Sequence, residues 1–300
     1  MARCFLMRAE PPSTEAIAVY QGYNAMPGRV RFEWIGESWQ LFRAQWATWV
    51  PTTLLFGVIY FGILIGVAIP LGFWSSWMYL GAHIHDPGAF TRPGAPASPG
   101  LAEQLLYEAV AWTVVAFFYG GLFKMANKQV RGEAIGVGDL FSGGSTFLPM
   151  LGFVIVFNLL QLAGMLCFCL GIFVVFALFW PAFALIADGV GFGDAFTRSF
   201  EGMKQDWLTA ALYVIVFGLI VLLSCLAFGL GTLITVPMVY LSTSLAYRDM
   251  IGMPGSPGGG YPVAGGYYPG QAVPGSWPPP PGQIPPGPNN PPSGWPPPSQ

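Results

Sequence analysis

The chain has 300 residues, of which 54% are hydrophobic and 9% charged, with a formal net charge of −2 and a mean hydropathy of +0.55. Soluble domains carry about a quarter charged residues, so this composition excludes a water-soluble globular protein, and a balance so close to neutral gives no footing for nucleic-acid binding. Four cysteines, three of them (Cys167, Cys169 and Cys225) inside apolar runs, exclude a disulfide framework and read as small buried apolar side chains.

Residues 1–30 read as a flexible segment. Arg3 and Arg8 flank a few apolar residues, but neither an apolar core nor a small-residue cleavage site follows, which argues against a signal peptide; Met26 is a second possible start. A membrane domain then occupies 31–253. Its first apolar residues step by three and four (Phe32, Ile35, Trp39, Phe42, Trp46, Trp49), with Glu33, Glu37, Gln40 and Arg43 opposite. That pattern predicts an amphipathic helix lying in the headgroup region. Residues 50–70 supply the first span, long enough to cross about 30 Å of hydrocarbon. Within it Gly62 and Gly66 form a GxxxG pair, which favours close approach of another helix. Trp74, Trp77 and Tyr79 read as an aromatic belt.

Residues 81–100 form a Pro-, Gly- and Ala-rich loop holding His83 and His85, the only histidines. Two imidazoles at alternate loop positions supply at most half of a metal site. The second span covers 101–125; Glu108 lies about one turn inside it, where it is expected to reach water or a neighbour, and Lys124 and Lys128 mark the exit. Further spans are predicted at 147–168, 170–187, 207–228 and 232–248, with Pro181 and Pro237 as kinks. Asn158 and Gln161 share a face of the third span and are expected to hydrogen-bond to other helices.

A short motif of glycine, acid, any residue and aromatic occurs three times: Gly36-Glu37-Ser38-Trp39, Gly138-Asp139-Leu140-Phe141 and Gly193-Asp194-Ala195-Phe196. Each copy leads into an apolar hairpin, and the turns Leu166–Gly171 and Leu226–Gly231 align with one another. The expected architecture is therefore all-α: six transmembrane helices as three hairpin repeats, each preceded by an amphipathic interfacial helix. Asp139 and Asp194 are placed to act as helix N-caps. Residues 254–300 carry no charge, are rich in Pro and Gly with spaced Tyr and Trp, and read as a disordered tail.

The stretch from about Gly136 to Gly252 resembles a broad group of uncharacterised bacterial multipass membrane proteins, and the membrane domain attached to some glycerophosphoryl diester phosphodiesterases. The residues that carry the likeness are Gly191-Phe-Gly-Asp194-Ala-Phe196, Gly229-Leu-Gly231, Pro237 and Ala246-Tyr247-Arg248-Asp249-Met250. The resemblance implies a bacterial inner-membrane protein. Only the Pro-rich tail follows in place of a phosphodiesterase domain, so no catalytic residue is carried over.

Six spans put Arg3, Arg8, Arg29, Arg31, Arg43, Lys124, Lys128, Arg131, Arg198, Lys204 and Arg248 on one side and Arg92 alone on the other. Basic residues stay cytoplasmic, so both termini are expected inside. No HExxH, GxSxG, Walker or dinucleotide motif occurs, and no catalytic, cofactor-binding or metal-ligating residue is assigned. The expected function is a non-enzymatic scaffold of the inner membrane. Its partners are the lipid bilayer and, through the tail, a cytoplasmic protein or a second copy of the chain. The alternative is a small-molecule or lipid transporter using a cavity between the hairpins, with Asn158 and Gln161 as polar lining.

Overall fold

In a chain this apolar, backbone N–H and C=O groups placed in hydrocarbon must find partners within the chain, and a helix provides them locally. The computed structural model describes residues 29–86, 88, 92, 94–166, 170–226, 229 and 231–256. The segment 1–28, Cys167 and Cys169, and nearly all of the Pro-rich tail lie outside the described residues.

Among the described residues there are helices and no strands. In chain order they are α1 (Glu33–Ala44), α2 (Trp46–Ala68), α3 (Phe73–Ala82) and α4 (Leu101–Val130), then a 3₁₀ helix (Val137–Thr146) running into α5 (Phe147–Leu166). There follow α6 (Leu170–Phe179), α7 (Pro181–Ala187), α8 (Phe192–Met203), a short 3₁₀ turn (Lys204–Asp206), α9 (Trp207–Leu226), α10 (Thr232–Ala246) and a π-helix (Tyr247–Gly252). Four stretches are long and apolar enough to cross a membrane: Trp46–Ala68, Leu101–Val130, Val137–Leu166 and Phe192–Leu226. The other two expected spans are shorter. Residues 170–187 break at Trp180, because Pro181 has no N–H to continue the ladder and instead opens α7. In α10, by contrast, Pro237 sits inside a continuous helix.

The centre of the bundle is made by α4, α7 and α10. Tyr119 and Phe123 of α4, Phe183 of α7 and Tyr240 of α10 interlock there, with ring centroids 4.9–5.8 Å apart. Phe153 and Phe157 of α5 extend this layer edge-on to Phe183. Large apolar side chains on α2, α5 and α9 point outward instead, with Val58 70%, Leu166 81% and Leu223 65% exposed. Burying that surface in water-free hydrocarbon is the physical account of so much outward apolar area. Exposed aromatics stand at both ends: Trp39, Trp46, Phe141 and Trp207 at one, Trp74 and Trp77 at the other.

Two expectations about faces are corrected. The buried side of α1 is Trp34, Ser38, Leu41 and Phe42, while Phe32, Trp39 and Trp46 are left exposed. Trp34 wins because its indole N–H reaches a buried carboxylate, Asp249, at 2.8 Å, and its ring meets Tyr213 edge-on. Gly62 and Gly66 are exposed, with nothing within 4 Å of a side chain placed there. Close crossings lie elsewhere, among them those between Gly164 and Gly171 in the α5–α6 hairpin and between Ser224 and Gly231 in the α9–α10 hairpin.

Candidate functional site

The residues with the richest chemistry gather where α4, α7 and α10 end. Both α4 and α7 stop the same way. Arg131 and Asp188 occupy their C-cap positions, followed by Gly132 (φ 84°) and Gly189 (φ 91°) in the left-handed conformation that glycine adopts without strain. The amides of Gly132 and Glu133 bond back to the carbonyls of Gln129 and Lys128; those of Gly189 and Val190 bond back to Ile186 and Leu185. A carboxylate at a helix C-terminus opposes the helix dipole, so Asp188 needs donors. It receives them from the Arg131 guanidinium and from Asn127 Nδ2 at 3.1 Å.

Asn127 ties the three helices together. Its amide donates to Asp188 and to the Ala184 carbonyl (2.8 Å), and its own carbonyl accepts from Ser244 Oγ (2.7 Å). Asn127 and Ser244 have no exposed surface. Burial, with the Asp188 carboxylate beside it, pushes the Tyr247 phenol above its usual range.

The next residue of the π-helix faces a second cluster. Arg248 pairs with Asp249 at 2.6 Å and with Glu37 of α1 at 3.0 Å; Arg31 pairs with Glu37 at 3.0 Å and Asp249 at 3.3 Å. Two cations and two anions alternate, so this partly buried ring carries no net charge. Burial alone would lower the Arg248 pKa, but Asp249 and Glu37 outweigh it and hold it above the ordinary value. The Val30 amide donates to Asp206 at 2.8 Å, which sets the turn before α9 beside the start of α1.

The three motif acids take three different roles. Glu37 lies inside α1 in the ion ring. Asp139 is at the third position of its 3₁₀ helix, where it accepts the Gly136 N–H (3.0 Å) and the Lys128 ammonium (2.6 Å). Asp194 is at the third position of α8 and exposed. Neither Asp139 nor Asp194 is an N-cap, since Gly136 and Gly191 hold those positions.

Other polar residues singled out from the sequence do not join the site. Asn158 faces outward and donates to the Val154 carbonyl of its own helix, rather than to another helix. Gln161 Oε1 is buried without a partner among the described residues. His83 Nδ1 donates to the Tyr79 carbonyl and its ring stacks on that of Tyr79, while His85 and Glu108 are exposed. Sequence reasoning missed Asn127, Asp188 and Ser244, and gave Tyr247 only within the stretch that carries the resemblance. The available signal was a polar residue near the end of an apolar run followed by a helix-stopping glycine, as in Asn127…Gly132 and Asp188-Gly189.

No protein-family model, curated protein or solved structure matches the chain. What the geometry of the two clusters supplies chemically is cohesion: their charged and amide groups are matched to one another, and α4, α7 and α10 are held in one register.

Proposed function

We propose that the chain is a non-enzymatic platform of a bacterial inner membrane. In this reading six helices cross as three hairpin repeats, the charged end faces the cytoplasm, and the Pro-rich tail recruits a cytoplasmic protein or a second copy. The repeat is supported by the two close crossings, Gly164–Gly171 and Ser224–Gly231, which share the same spacing and lie one repeat apart. The bacterial assignment rests on the resemblance carried by Ala246-Tyr247-Arg248-Asp249-Met250, a stretch that overlaps the π-helix and supplies Arg248 and Asp249 to the ion ring. The role of the tail rests on its sequence.

The observation that carries the platform reading is the filled centre. A carrier needs a route between its helices, and there Tyr119, Phe123, Phe183 and Tyr240 interlock beneath a hydrogen-bonded layer around Asn127. Accessibility tests it. In a variant with Cys4, Cys167, Cys169 and Cys225 changed to Ser, Ser244→Cys should resist a charged maleimide in native membranes and react only after denaturation. Rapid labelling of the native protein would establish a water-filled route and favour the transporter.

A further inference from the structure

We propose that the groove between α2, α4 and the start of α5 binds one phospholipid with an anionic headgroup, its phosphate on Lys124 and one acyl chain along Phe117. The groove holds about 430 Å³ and is lined by Ile59 and Ile63 of α2, Thr113 and Phe117 of α4, and Gly144 and Phe147 where the 3₁₀ helix joins α5. A side chain at position 144 would sit against the Phe117 ring, so the glycine keeps this end of the groove open. The next residue, Ser145, accepts Lys124 Nζ at 2.6 Å, and the Ser142 carbonyl accepts it at 2.8 Å.

An ammonium has three donors, and these contacts use two. Lys128, Arg131, Arg31 and Arg248 each meet a carboxylate, whereas no carboxylate among the described residues lies within ion-pair distance of Lys124. A half-buried cation on a membrane helix with no carboxylate in direct contact is costly, and a lipid phosphate supplies such a contact from the bilayer itself. The dimensions agree. From Thr113 to Lys124 is a rise of about 16 Å along α4, close to half the roughly 30 Å of hydrocarbon. Lysine and groove therefore match headgroup and chain within one leaflet.

Native mass spectrometry of the full-length protein in detergent, with phosphatidylglycerol or phosphatidylcholine of identical chains, provides the test. The wild type should retain one phosphatidylglycerol in preference by about fivefold, the factor of a half-exposed ion pair. Lys124→Gln should lose the preference and Lys124→Arg keep it; Thr113→Trp, which fills the groove from its exposed side, should lose both lipids. Equal retention of the two lipids by the wild type, or an unchanged preference in Lys124→Gln, would overturn the proposal. So would stabilisation by inorganic phosphate that survives Thr113→Trp, since it would assign an anion site without a chain. The inference rests on the membrane reading alone, and its failure would leave the Ser244→Cys result unaffected.

Discussion

Asn127 and Asn158 carry the same side chain on two membrane helices, and their surroundings set opposite expectations for one substitution. In Asn127→Leu the shape is nearly kept, but the Ala184 carbonyl, the Ser244 hydroxyl and one Asp188 contact each lose a partner inside the bundle. Leaving such groups unpaired costs about 2–3 kcal/mol. In Asn158→Leu the only bond lost among the described residues is to the Val154 carbonyl of the same helix, on an outward face, so the change should stay within about 0.5 kcal/mol. Melting curves in detergent, run side by side, decide it: a clear drop for the first variant and almost none for the second. Equal melting temperatures would mean the Asn127 layer does not hold α4, α7 and α10 together. The sequence presents both asparagines as amides in apolar runs. Only the partner helices, 57 and 117 residues away in the chain, separate them.

The 3₁₀ helix lies backbone against backbone on α4. A Cβ at Gly121 would overlap the Leu140 carbonyl, and one at Gly143 would overlap the Phe117 carbonyl. Backbone cannot rotate aside as a side chain can, so Gly121→Ala must push the two elements apart. A cost of about 2 kcal/mol is expected from overpacking. Gly62→Ala, with open space around it, should cost nothing or stabilise slightly, since alanine favours the helix. Thermal unfolding of the two variants checks the contrast, and a harmless Gly121→Ala would show that the 3₁₀ helix is not tightly seated. These glycines also mark the limit of sequence reading. Gly62 and Gly66 have the spacing of a crossing motif and face outward, while Gly121 and Gly143 lack that spacing and make the crossing. The helices themselves were legible, because apolar runs of sufficient length have no other way to satisfy their backbone in hydrocarbon. Which side of α1 packs was not legible, because the Trp34–Asp249 bond joins residues at opposite ends of the membrane domain.

For the whole molecule, the proposed six crossings find their support in which ends meet. Four stretches have span length, and residues 170–187 and 232–246 are shorter. Yet the Val30 amide bonds to Asp206, and Arg31 to Asp249, so the turn before α9 and the end of the π-helix share one end with the start of α1. A chain that leaves that end along α5 must come back before residue 206, and α6–α7 is the stretch available to return it. The same reasoning assigns the second return, after α9, to α10. In the proposed six-crossing reading, the one-sided basic residues put α8 on the cytoplasmic side and the loop near Arg92 outside. In the cysteine-free background, Arg92→Cys should react with a membrane-impermeant maleimide on intact cells, and Thr197→Cys, exposed on α8, should react only after the cells are opened. Four crossings would instead leave α8 outside, because α6–α7 would not return the chain. Labelling of Thr197→Cys on intact cells, with Arg92→Cys also labelled, would therefore sink the six-helix reading. Protection of Arg92→Cys together with labelling of Thr197→Cys would reverse the orientation.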